Sequence, residues 1–541
     1  MKKTGAQLLV DALVKESVDV VFGIPGIQNM DIYDALEDVD SIISVVARHE
    51  QGAGYMADGY ARASGKPGVV ITVPGPGALN AITPLGEAYS DSSPVLLITV
   101  EVASTEISHK RGYLHEMKDQ MATFKSVVKK TYRVTSAKEI PTIIQKAYKQ
   151  TIDGRPRPVY VEIPIDFLKE EIMFEENEED KPAKLDQTET TAHKYADIEK
   201  VVDLLKNAKR PLIYAGLGAI HSEAGDVITR LAEKISAPVI TTTKGKGVIP
   251  ADHFLAVGNS WCPVVGSSDI IKNADLILCI GTGLSARTWL HNKLPLNGKI
   301  IHIDIDPESI GKNFPVEVGI VGNALEATHL ILTELGEWSR KDETVTHKVK
   351  TLKNQIQQKL EQEQPELNTI FKVLEKSLKN GDVLVSDLTL AGMWAARYLP
   401  VYKPRTFLFP MEFGTLGFAL PAAIGAKLAE PQKNVICLSG DGSFLFNSQE
   451  LSTAVKLGID LLILLFNDGR YGSVRVNQIR TFGRSSGTDL CNPDFIKLAD
   501  AYGVHGVRVE QISDFKDIYG DLINKKGVRL IEIPSEFLDS Y

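Results

Sequence analysis

Apolar and polar residues follow one another along the chain in two distinct patterns. Short, almost wholly apolar runs predict buried strands, and longer segments with apolar residues about every 3.6 positions, such as GAQLLVDALVKES, predict helices. Up to about residue 180 these segments alternate, and the predicted strands are DVVFGIPG, ISVVARHE, GVVITVPGPG, PVLLITV and PVYVEIP. The alternation favours a parallel sheet that is covered by helices on both faces.

The same alternation returns twice more along the chain. From about 195 to 335 the predicted strands are RPLIYAG, APVITTT, ADLILCIG and GKIIHIDID; from about 365 onward they are DVLVSD, NVICLSG, DLLILLFND and RLIEIP. The acidic stretch EENEEDKPAKLDQTETT has the composition of a linker, and VKTLKNQIQQKLEQEQPE predicts a solvated helix. We therefore predict an α/β fold with three doubly wound parallel-sheet domains, at residues 1–180, 195–335 and 365–541.

Composition and charge narrow the classes of partner. The chain has 541 residues, of which 43% are hydrophobic and 24% charged, which is ordinary for a globular protein of about three domains. A net charge of −9 gives no broad positive field, so we expect neither nucleic acid nor a membrane as partner. Asp11 and Lys15 interrupt any apolar leader, and no run reaches the ~18 apolar residues of a membrane span, so we predict a cytoplasmic protein.

Two polar turns containing glycine follow neighbouring predicted strands. Gly440-Asp441-Gly442 ends NVICLSG, Asn467-Asp468-Gly469 ends DLLILLFN, and the helix SQELSTAVKLG is predicted between them. Asn447 and Glu450 have the spacing of a capping box that would open this helix. Because a strand–helix–strand unit places both strand ends at the same edge of a parallel sheet, we expect Asp441 and Asn467 to lie close together.

The chemistry of these turns indicates a cation and an anion. One carboxylate, one amide oxygen and a backbone carbonyl are too few and too hard as ligands for zinc, but they suit Mg²⁺, which takes further oxygens from phosphates and water. The glycines allow close approach of the backbone, and N–H groups at a helix start attract anions. We predict a metal–diphosphate site; the alternative is two ordinary turns, since both tripeptides are common in turns.

Together, the two turns resemble the diphosphate motif of thiamine diphosphate (ThDP) enzymes. The segment RHEQGAGYMADGYARASG resembles the activating-glutamate segment of the ThDP-dependent acetolactate (acetohydroxyacid) synthase and 2-oxo acid decarboxylase family. The resemblance covers nearly the whole chain, through GIPG at 23–26, PGPGALN at 74–80, GRPRPVYVEIP at 154–164, HIDIDPESIGKN at 302–313 and FGTLGFALPAAIGAKLA at 413–429. It implies a pyrimidine-binding N-terminal domain, a Rossmann-like middle domain and a diphosphate-binding C-terminal domain.

The resemblance assigns the catalytic role to Glu50. A carboxyl group beside N1′ of the aminopyrimidine favours the imino form, which removes the proton from C2 of the thiazolium. The alternative for Glu50 is a first-turn glutamate that complements the helix dipole. The helix after it is rich in glycine and alanine, which allows another backbone or a cofactor to come close.

The same resemblance implies the other contacts of the cofactor. Asp441 and Asn467 would bind Mg²⁺ through their side chains and Gly469 through its carbonyl, while Gly442 and Ser443 would contact the diphosphate. Other residues would surround the pyrimidine: Gly414 by accepting its amine, Leu416 as an apolar wedge that keeps the cofactor bent, and Pro25 and Asn80 at its border. In this family Glu50 and the metal site come from different subunits, which implies a homodimer or homotetramer.

Some positions depart from the synthase pattern. Met411-Glu412 replaces two glycines, Leu390-Ala391 replaces polar diphosphate contacts, and GTGLSARTW (281–289) replaces the flavin-binding cluster, so FAD is an alternative that the sequence disfavours. His115, Lys129 and Gln478 are the candidates for the substrate pocket, with His115 otherwise a surface helix residue. The adjacent histidine pair of pyruvate decarboxylases is absent from the sequence.

The resemblance implies ThDP- and Mg²⁺-dependent decarboxylation of a 2-oxo acid, with pyruvate favoured, and carboligation to a second carbonyl compound. One alternative is a plain 2-oxo acid decarboxylase or a benzaldehyde-lyase-like carboligase, which differ only in what reacts after CO₂ leaves. A remote alternative is a non-catalytic subunit for assembly or regulation. Such a subunit would have lost Glu50 or a metal ligand, and this chain keeps both.

Overall fold

The structure is a computed structural model that describes residues 2–173, 197–261, 265–285 and 296–539. The acidic segment predicted to be a linker lies outside the described residues. The described residues form three parallel sheets of six strands each, which confirms the predicted fold class. We call the residues around these sheets the first unit (2–173), the second unit (197–335) and the third unit (365–539). No helix among the described residues is long and apolar enough to cross a bilayer.

The first sheet contains the five predicted strands and one more at its edge. Its strands, in spatial order, are Ile43–Val46, Val20–Gly23, Gly68–Thr72, Val95–Glu101, Val159–Pro164 and Lys130–Arg133. A small antiparallel pair, Lys2–Thr4 with Glu171–Met173, closes this unit. Its helices are Gly5–Lys15, Met30–Glu37, Glu50–Ser64, Pro76–Asn80, Ile82–Ser90, Gln120–Phe124, Ile140–Ile152 and Ile165–Lys169.

The second sheet likewise adds two strands to the four predicted. Its strands, in spatial order, are Ala256–Asn259, Val239–Thr241, Pro211–Ala215, Leu276–Ile280, Lys299–Asp304 and Val318–Val321. Its helices are Ile198–Asn207, Leu217–His221, Gly225–Ile235, Val265–Asn273 and Ala324–Leu335. The helix Glu343–Glu363 follows and buries only Val349, Leu352 and Leu360, so the predicted solvated helix is present.

The third sheet carries the two turns. Its strands, in spatial order, are Phe407–Leu408, Val383–Ser386, Val435–Gly440, Leu461–Asn467, Val528–Pro534 and His505–Arg508. Its helices are Pro365–Asn380, Leu390–Tyr398, Ala419–Ala429, Asp441–Phe444, Leu451–Lys456, Gly472–Phe482, Phe495–Ala501 and Phe515–Ile523. The first and third sheets share one strand order. In each, the earliest strand in the sequence lies second from one edge, the next strand forms that edge, and the chain then crosses over to the centre of the sheet.

The glycine-rich helix Glu50–Ser64 packs against the helix Ala419–Ala429 of the third unit. A Cβ atom on Gly59 would lie 2.0 Å from the backbone oxygen of Ala422, and one on Gly425 would lie 1.8 Å from that of Met56. Only glycine permits this backbone-to-backbone contact. The small residues of the helix therefore serve the contact between the first and third units, one of the two uses that the sequence predicts.

Candidate cofactor and metal site

Asp441 and Asn467 lie at the carboxyl ends of adjacent parallel strands, as predicted. Gly440 is opposite Phe466 in the register of the two strands, so the next residue of each strand leaves the same edge of the sheet. One amide joins the two side chains: Nδ2 of Asn492 donates to Oδ2 of Asp441 at 2.6 Å and to Oδ1 of Asn467 at 3.1 Å. The two predicted metal ligands are therefore neighbours with a shared partner.

The donor set at this edge suits a hard divalent cation. Besides Asp441 and Asn467 it includes Asp468, which the sequence prediction passed over although it lies within the same turn. Burial and the neighbouring Asp441 carboxylate raise the pKa of Asp468 to about 7, and burial also raises the pKa of Asp441. Two neighbouring carboxyl groups with an amide oxygen beside them fit Mg²⁺ in ligand type.

The Gly469 carbonyl, the third predicted ligand, already accepts a hydrogen bond. The backbone N–H of Leu490 donates to it at 2.8 Å, and a carbonyl oxygen has a second lone pair for a cation. Gly469 has a φ of 67°, in the left-handed region that favours glycine. The turn thus exposes its carbonyl at the same edge as the two side chains.

Three helices begin around a cavity of about 100 Å³ beside these residues. They are Leu390–Tyr398, Asp441–Phe444 and Gly472–Phe482, and residues from the start of each line the cavity. Thr389 caps the first helix by accepting a hydrogen bond from Gly392 N at 3.1 Å. Helix N-termini attract anions through their unpaired N–H groups and dipoles, so a diphosphate beside the cation fits this position.

The predicted cofactor residues Leu416, Gly442 and Ser443 line this same cavity. The hydroxyl of Ser443 accepts a hydrogen bond from Gly417 N at 2.8 Å, which joins the GDG turn to the loop that contains Leu416. A Cβ atom on Gly442 would lie 2.7 Å from the Tyr471 ring, so packing as well as access to a ligand requires glycine there. The apolar Leu390 and Ala391, a departure from the synthase pattern, also face the cavity.

The predicted capping box of Asn447 and Glu450 is wrong. Asn447 makes no capping hydrogen bond; its Nδ2 donates to the Gly417 carbonyl at 2.7 Å. The segment Ser448–Glu450 is a 3₁₀ helix, and the α-helix begins only at Leu451. Glu450 instead accepts hydrogen bonds from the backbone N–H groups of Arg48 and His49, because these donors at the start of another helix had no partner of their own.

Glu50 is the first residue of the helix Glu50–Ser64 and is largely buried. The amide of Asn80 donates to its Oε2 at 2.9 Å, so two residues assigned to the pyrimidine lie in direct contact. A Cβ atom on Gly77 would lie 3.1 Å from Oε1, so the PGPGALN turn approaches the carboxylate closely. Pro25 is exposed in a neighbouring turn, which Asn29 holds by accepting from Gly26 N at 2.7 Å.

Glu50 and the metal ligands belong to different units of the chain. The described residues that line the cavity beside the GDG turn all come from the third unit, whereas Glu50 comes from the first. Gly414, which the resemblance places at the pyrimidine, belongs to the third unit and has a φ of 74°, in the left-handed region. The predicted site therefore draws its residues from two units of the chain.

Buried carboxyl groups fix the loop that contains Gly414 and Leu416. Glu87 of the first unit is fully buried, and its Oε2 accepts hydrogen bonds from Thr415 N at 3.2 Å and from Thr415 Oγ1 at 3.1 Å. Just before this loop, the backbone N–H groups of Met411 and Glu412 donate to Asp91 at 3.0 and 3.2 Å. The Met411-Glu412 departure therefore lies against a buried carboxylate of the first unit.

The three substrate-pocket candidates have different surroundings. His115 lies in a turn, with a φ of 69°, and not in a helix; its Nδ1 is buried without a hydrogen-bond partner among the described residues. The side-chain ammonium group of Lys129 donates to the backbone carbonyls of Gln150, Asp153 and Arg155, so each of its three N–H bonds has an acceptor. Gln478 exchanges two hydrogen bonds with the backbone of Ser486. Their roles toward a substrate stay predictions.

A second, larger cavity of about 1540 Å³ lies between all three units. Arg155, Gly218, Lys244 and Arg405 are among its lining residues. Residues 281–285, the start of the segment that replaces the flavin-binding cluster, line it as well, and residues 286–289 lie outside the described residues. The expectation about FAD stays a prediction.

In a comparison with known protein families, each of the three units matches a domain of the same enzyme family. Residues 3–123 match the N-terminal TPP binding domain of thiamine pyrophosphate enzymes, residues 198–331 their central domain, and residues 387–533 their C-terminal TPP binding domain. The chain belongs to the thiamine pyrophosphate enzyme family. Thiamine pyrophosphate is another name for ThDP, so the recognition and the ThDP dependence predicted from the sequence are confirmed.

Curated relatives of this thiamine pyrophosphate enzyme align over most of their length. The probable 2-ketoarginine decarboxylase AruI of Pseudomonas aeruginosa is 35% identical over 98% of this chain and 94% of that protein. The probable acetolactate synthase large subunit of Methanocaldococcus jannaschii is 36% identical, over 99% and 93%. The large subunit of acetolactate synthase isozyme 3 of Escherichia coli is 35% identical, over 94% and 90%.

Proposed function

We propose that this thiamine pyrophosphate enzyme, with Mg²⁺, decarboxylates a 2-oxo acid, pyruvate by preference, and joins the remaining acyl unit to a second carbonyl compound, as an acetolactate synthase does. The observation that carries the proposal is the pairing of Asp441 with Asn467 beside three helix N-termini. Acetolactate synthase large subunits among the relatives support the reaction type. Leu390 and Ala391, which stand where the synthases have polar diphosphate contacts, give the cavity an apolar wall.

In this proposal, the third unit binds the cofactor. Asp441, Asn467 and the Gly469 carbonyl hold Mg²⁺, and the N–H groups around Gly442 and Ser443 hold the diphosphate. Bound ThDP supplies an electron sink for the electrons released when the carboxylate bond breaks. Leu416, which lines the cavity, would supply an apolar contact to the rings of the cofactor.

Glu50 holds a proton at N1′ of the pyrimidine in this assignment. Asn80 orients its carboxyl group, and Gly414 accepts the amine of the same ring on its carbonyl. On the family resemblance, in which Glu50 and the metal site come from different subunits, we propose that two subunits complete each site, in a homodimer or homotetramer. The domain limits 1–180, 195–335 and 365–541 belong to the same proposal.

A decarboxylase without carboligation is the second candidate. The relative in Pseudomonas aeruginosa is described as a probable 2-ketoarginine decarboxylase, which acts on a 2-oxo acid with a cationic tail. Such a substrate differs from pyruvate in size and charge. The two candidate functions use the same cofactor site. They differ in the 2-oxo acid that loses CO₂ and in what then reacts with the remaining acyl unit.

The products from two donors separate the candidates. The purified protein, supplied with ThDP and Mg²⁺, is incubated with pyruvate alone and with 2-ketoarginine alone, and the Glu50→Gln variant is the matched control. Acetolactate from pyruvate supports the proposal, and acetaldehyde supports the decarboxylase. If CO₂ is released from 2-ketoarginine and not from pyruvate, the protein is a decarboxylase of the second kind. If the Glu50→Gln variant turns over as fast as the parent protein, the assignment of Glu50 is wrong.

A further inference from the structure

One short segment contacts all three predicted metal ligands. Thr488 accepts a hydrogen bond from Tyr471 N at 2.8 Å, and two residues later Leu490 N donates to the Gly469 carbonyl at 2.8 Å. The chain then continues to Asn492, whose amide reaches Asp441 and Asn467. The segment Thr488–Asn492 therefore lies across both turns of the predicted cation site.

The orientation of the Asn492 amide follows from its neighbours. Both groups it contacts, Oδ2 of Asp441 and Oδ1 of Asn467, are acceptors, so only the NH₂ end of the amide can bind them. The 2.6 Å bond to the carboxylate is short, as bonds to a charged acceptor are. Oδ1 of Asn492 is buried and has no hydrogen-bond partner among the described residues, so the hydrogen bonds of this amide are those that its Nδ2 donates to the two predicted ligands.

The two acceptor groups have other donors besides Asn492. Oδ1 of Asn467 also accepts a hydrogen bond from Gly469 N at 3.2 Å, and the backbone N–H groups of Gly442 and Gly469 donate to the Asp441 carboxyl group. Asn467 is fixed from its other end as well, because its Nδ2 donates to Oε1 of Glu532 at 2.9 Å. Without Asn492, the two partly negative oxygens would lose the side-chain donor that bridges them.

We propose that Asn492 is a positioning residue of the cation site, whose amide holds Oδ2 of Asp441 and Oδ1 of Asn467 at a separation that one divalent cation can bridge. The proposal rests on the proposed function, since it concerns the same cation. Hydrogen-bonding partners of metal ligands orient them, and losing one weakens metal binding by about 10–100-fold. No pattern in the sequence marks Asn492 for this role.

Cation binding without turnover tests the proposal. Mn²⁺, a spectroscopic substitute for Mg²⁺, is titrated by electron paramagnetic resonance into full-length protein with saturating ThDP and no substrate. The Asn492→Ala variant is expected to bind Mn²⁺ about 10–100-fold more weakly, and saturating Mg²⁺ should restore most of its kcat. The matched control is Asn207→Ala, which removes an exposed amide that donates to the Asp203 carbonyl within a helix of the second unit.

The outcomes separate this inference from the proposed function. If Asn492→Ala binds Mn²⁺ within about twofold of the affinity of the parent protein, Asn492 does not position the ligands, and the proposed function is unaffected. A parent protein that takes up no Mn²⁺ with ThDP overturns both. If the alanine variant does not fold, judged by circular dichroism, Asn492→Leu keeps the volume without the donor, and its Mn²⁺ affinity decides in the same way.

Discussion

The carboxylate of Glu450 accepts a hydrogen bond from the backbone N–H of His49, at 3.0 Å, directly before Glu50. Arg48 N donates to the same carboxylate at 3.1 Å, and the hydroxyl of Thr453 at 2.6 Å. Glu450 is fully buried, and burial raises its pKa. A side chain of the third unit thus fixes the start of the helix on which the first unit carries its proposed catalytic residue.

Replacement of Glu450 by alanine should destabilise the protein and slow it. Two backbone N–H groups of the first unit would lose their acceptor, at about 1–3 kcal/mol for each buried group left unpaired. We expect a lower Tm in thermal unfolding and a lower kcat, because the start of the Glu50 helix would no longer be fixed. Glu361→Ala, at an exposed glutamate paired with Lys372, is the control and should change neither. Equal melting curves for both variants would refute this role.

Glu87 should make stability depend on pH. Burial, followed by repulsion from Asp91, raises its pKa from 4.5 to about 8, although Arg62 lies 3.6 Å away and opposes the shift. Between these two values the folded protein holds a proton that the unfolded chain has released, so stability falls as pH rises through this window. Asp58 also raises the pKa of Glu87 by repulsion, and Lys244 pairs with Asp91 at 2.8 Å.

The Glu87→Gln variant removes this titration and keeps an oxygen for Thr415. We therefore expect the Tm of the parent to fall relative to that of the variant as pH rises from about 5 to about 8, in the direction given by proton linkage. Thermal unfolding at a series of pH values measures the difference. Parallel profiles for the two proteins would show that Glu87 does not titrate in this range.

Leu416→Ala should leave the cofactor bound and impair catalysis. The diphosphate end is held by other residues, whereas the apolar contact between the rings would be lost. A kcat lower by about 10-fold, equal to about 1.4 kcal/mol of barrier, is expected with little change in the ThDP concentration for half-maximal activity. Leu325→Ala, at an exposed leucine of the second unit, is the control. An unchanged kcat in the Leu416 variant argues against the wedge.

Removal of the metal should abolish activity reversibly. A chelator would take Mg²⁺ from Asp441 and Asn467, and added Mg²⁺ should restore the parent protein because its ligands remain in place. The Asp441→Ala variant should stay inactive after the same treatment, since a carboxylate ligand is gone. Full activity of the parent in excess chelator would contradict a metal-dependent site.

The order of apolar and polar segments was enough to predict the third sheet and the position of its turns. Parallel strands with a crossover helix have one geometry, so Asp441 and Asn467 had to leave the same edge. Short edge strands such as Phe407–Leu408 and His505–Arg508 were missed, because few apolar residues mark them. Local patterns thus sufficed where the structure is regular.

Contacts between distant segments account for the errors. Glu450 has the spacing of a capping box with Asn447, yet its carboxylate binds Arg48 and His49, about 400 residues earlier in the chain. Asn492 reaches the metal ligands only because the chain folds back beside Gly469. Tertiary contacts of this kind override local preference and leave no periodic signal in the sequence.

Exchange of the C2 proton of bound ThDP with D₂O reports cofactor activation by Glu50 without any substrate. The parent protein and the Glu50→Gln variant, both loaded with ThDP and Mg²⁺, are compared by NMR after acid quench. We expect both proteins to bind the cofactor and only the parent to exchange the proton rapidly. Exchange at the parent rate in Glu50→Gln would show that Glu50 does not activate the cofactor, and a parent protein that binds no ThDP would refute the cofactor site itself.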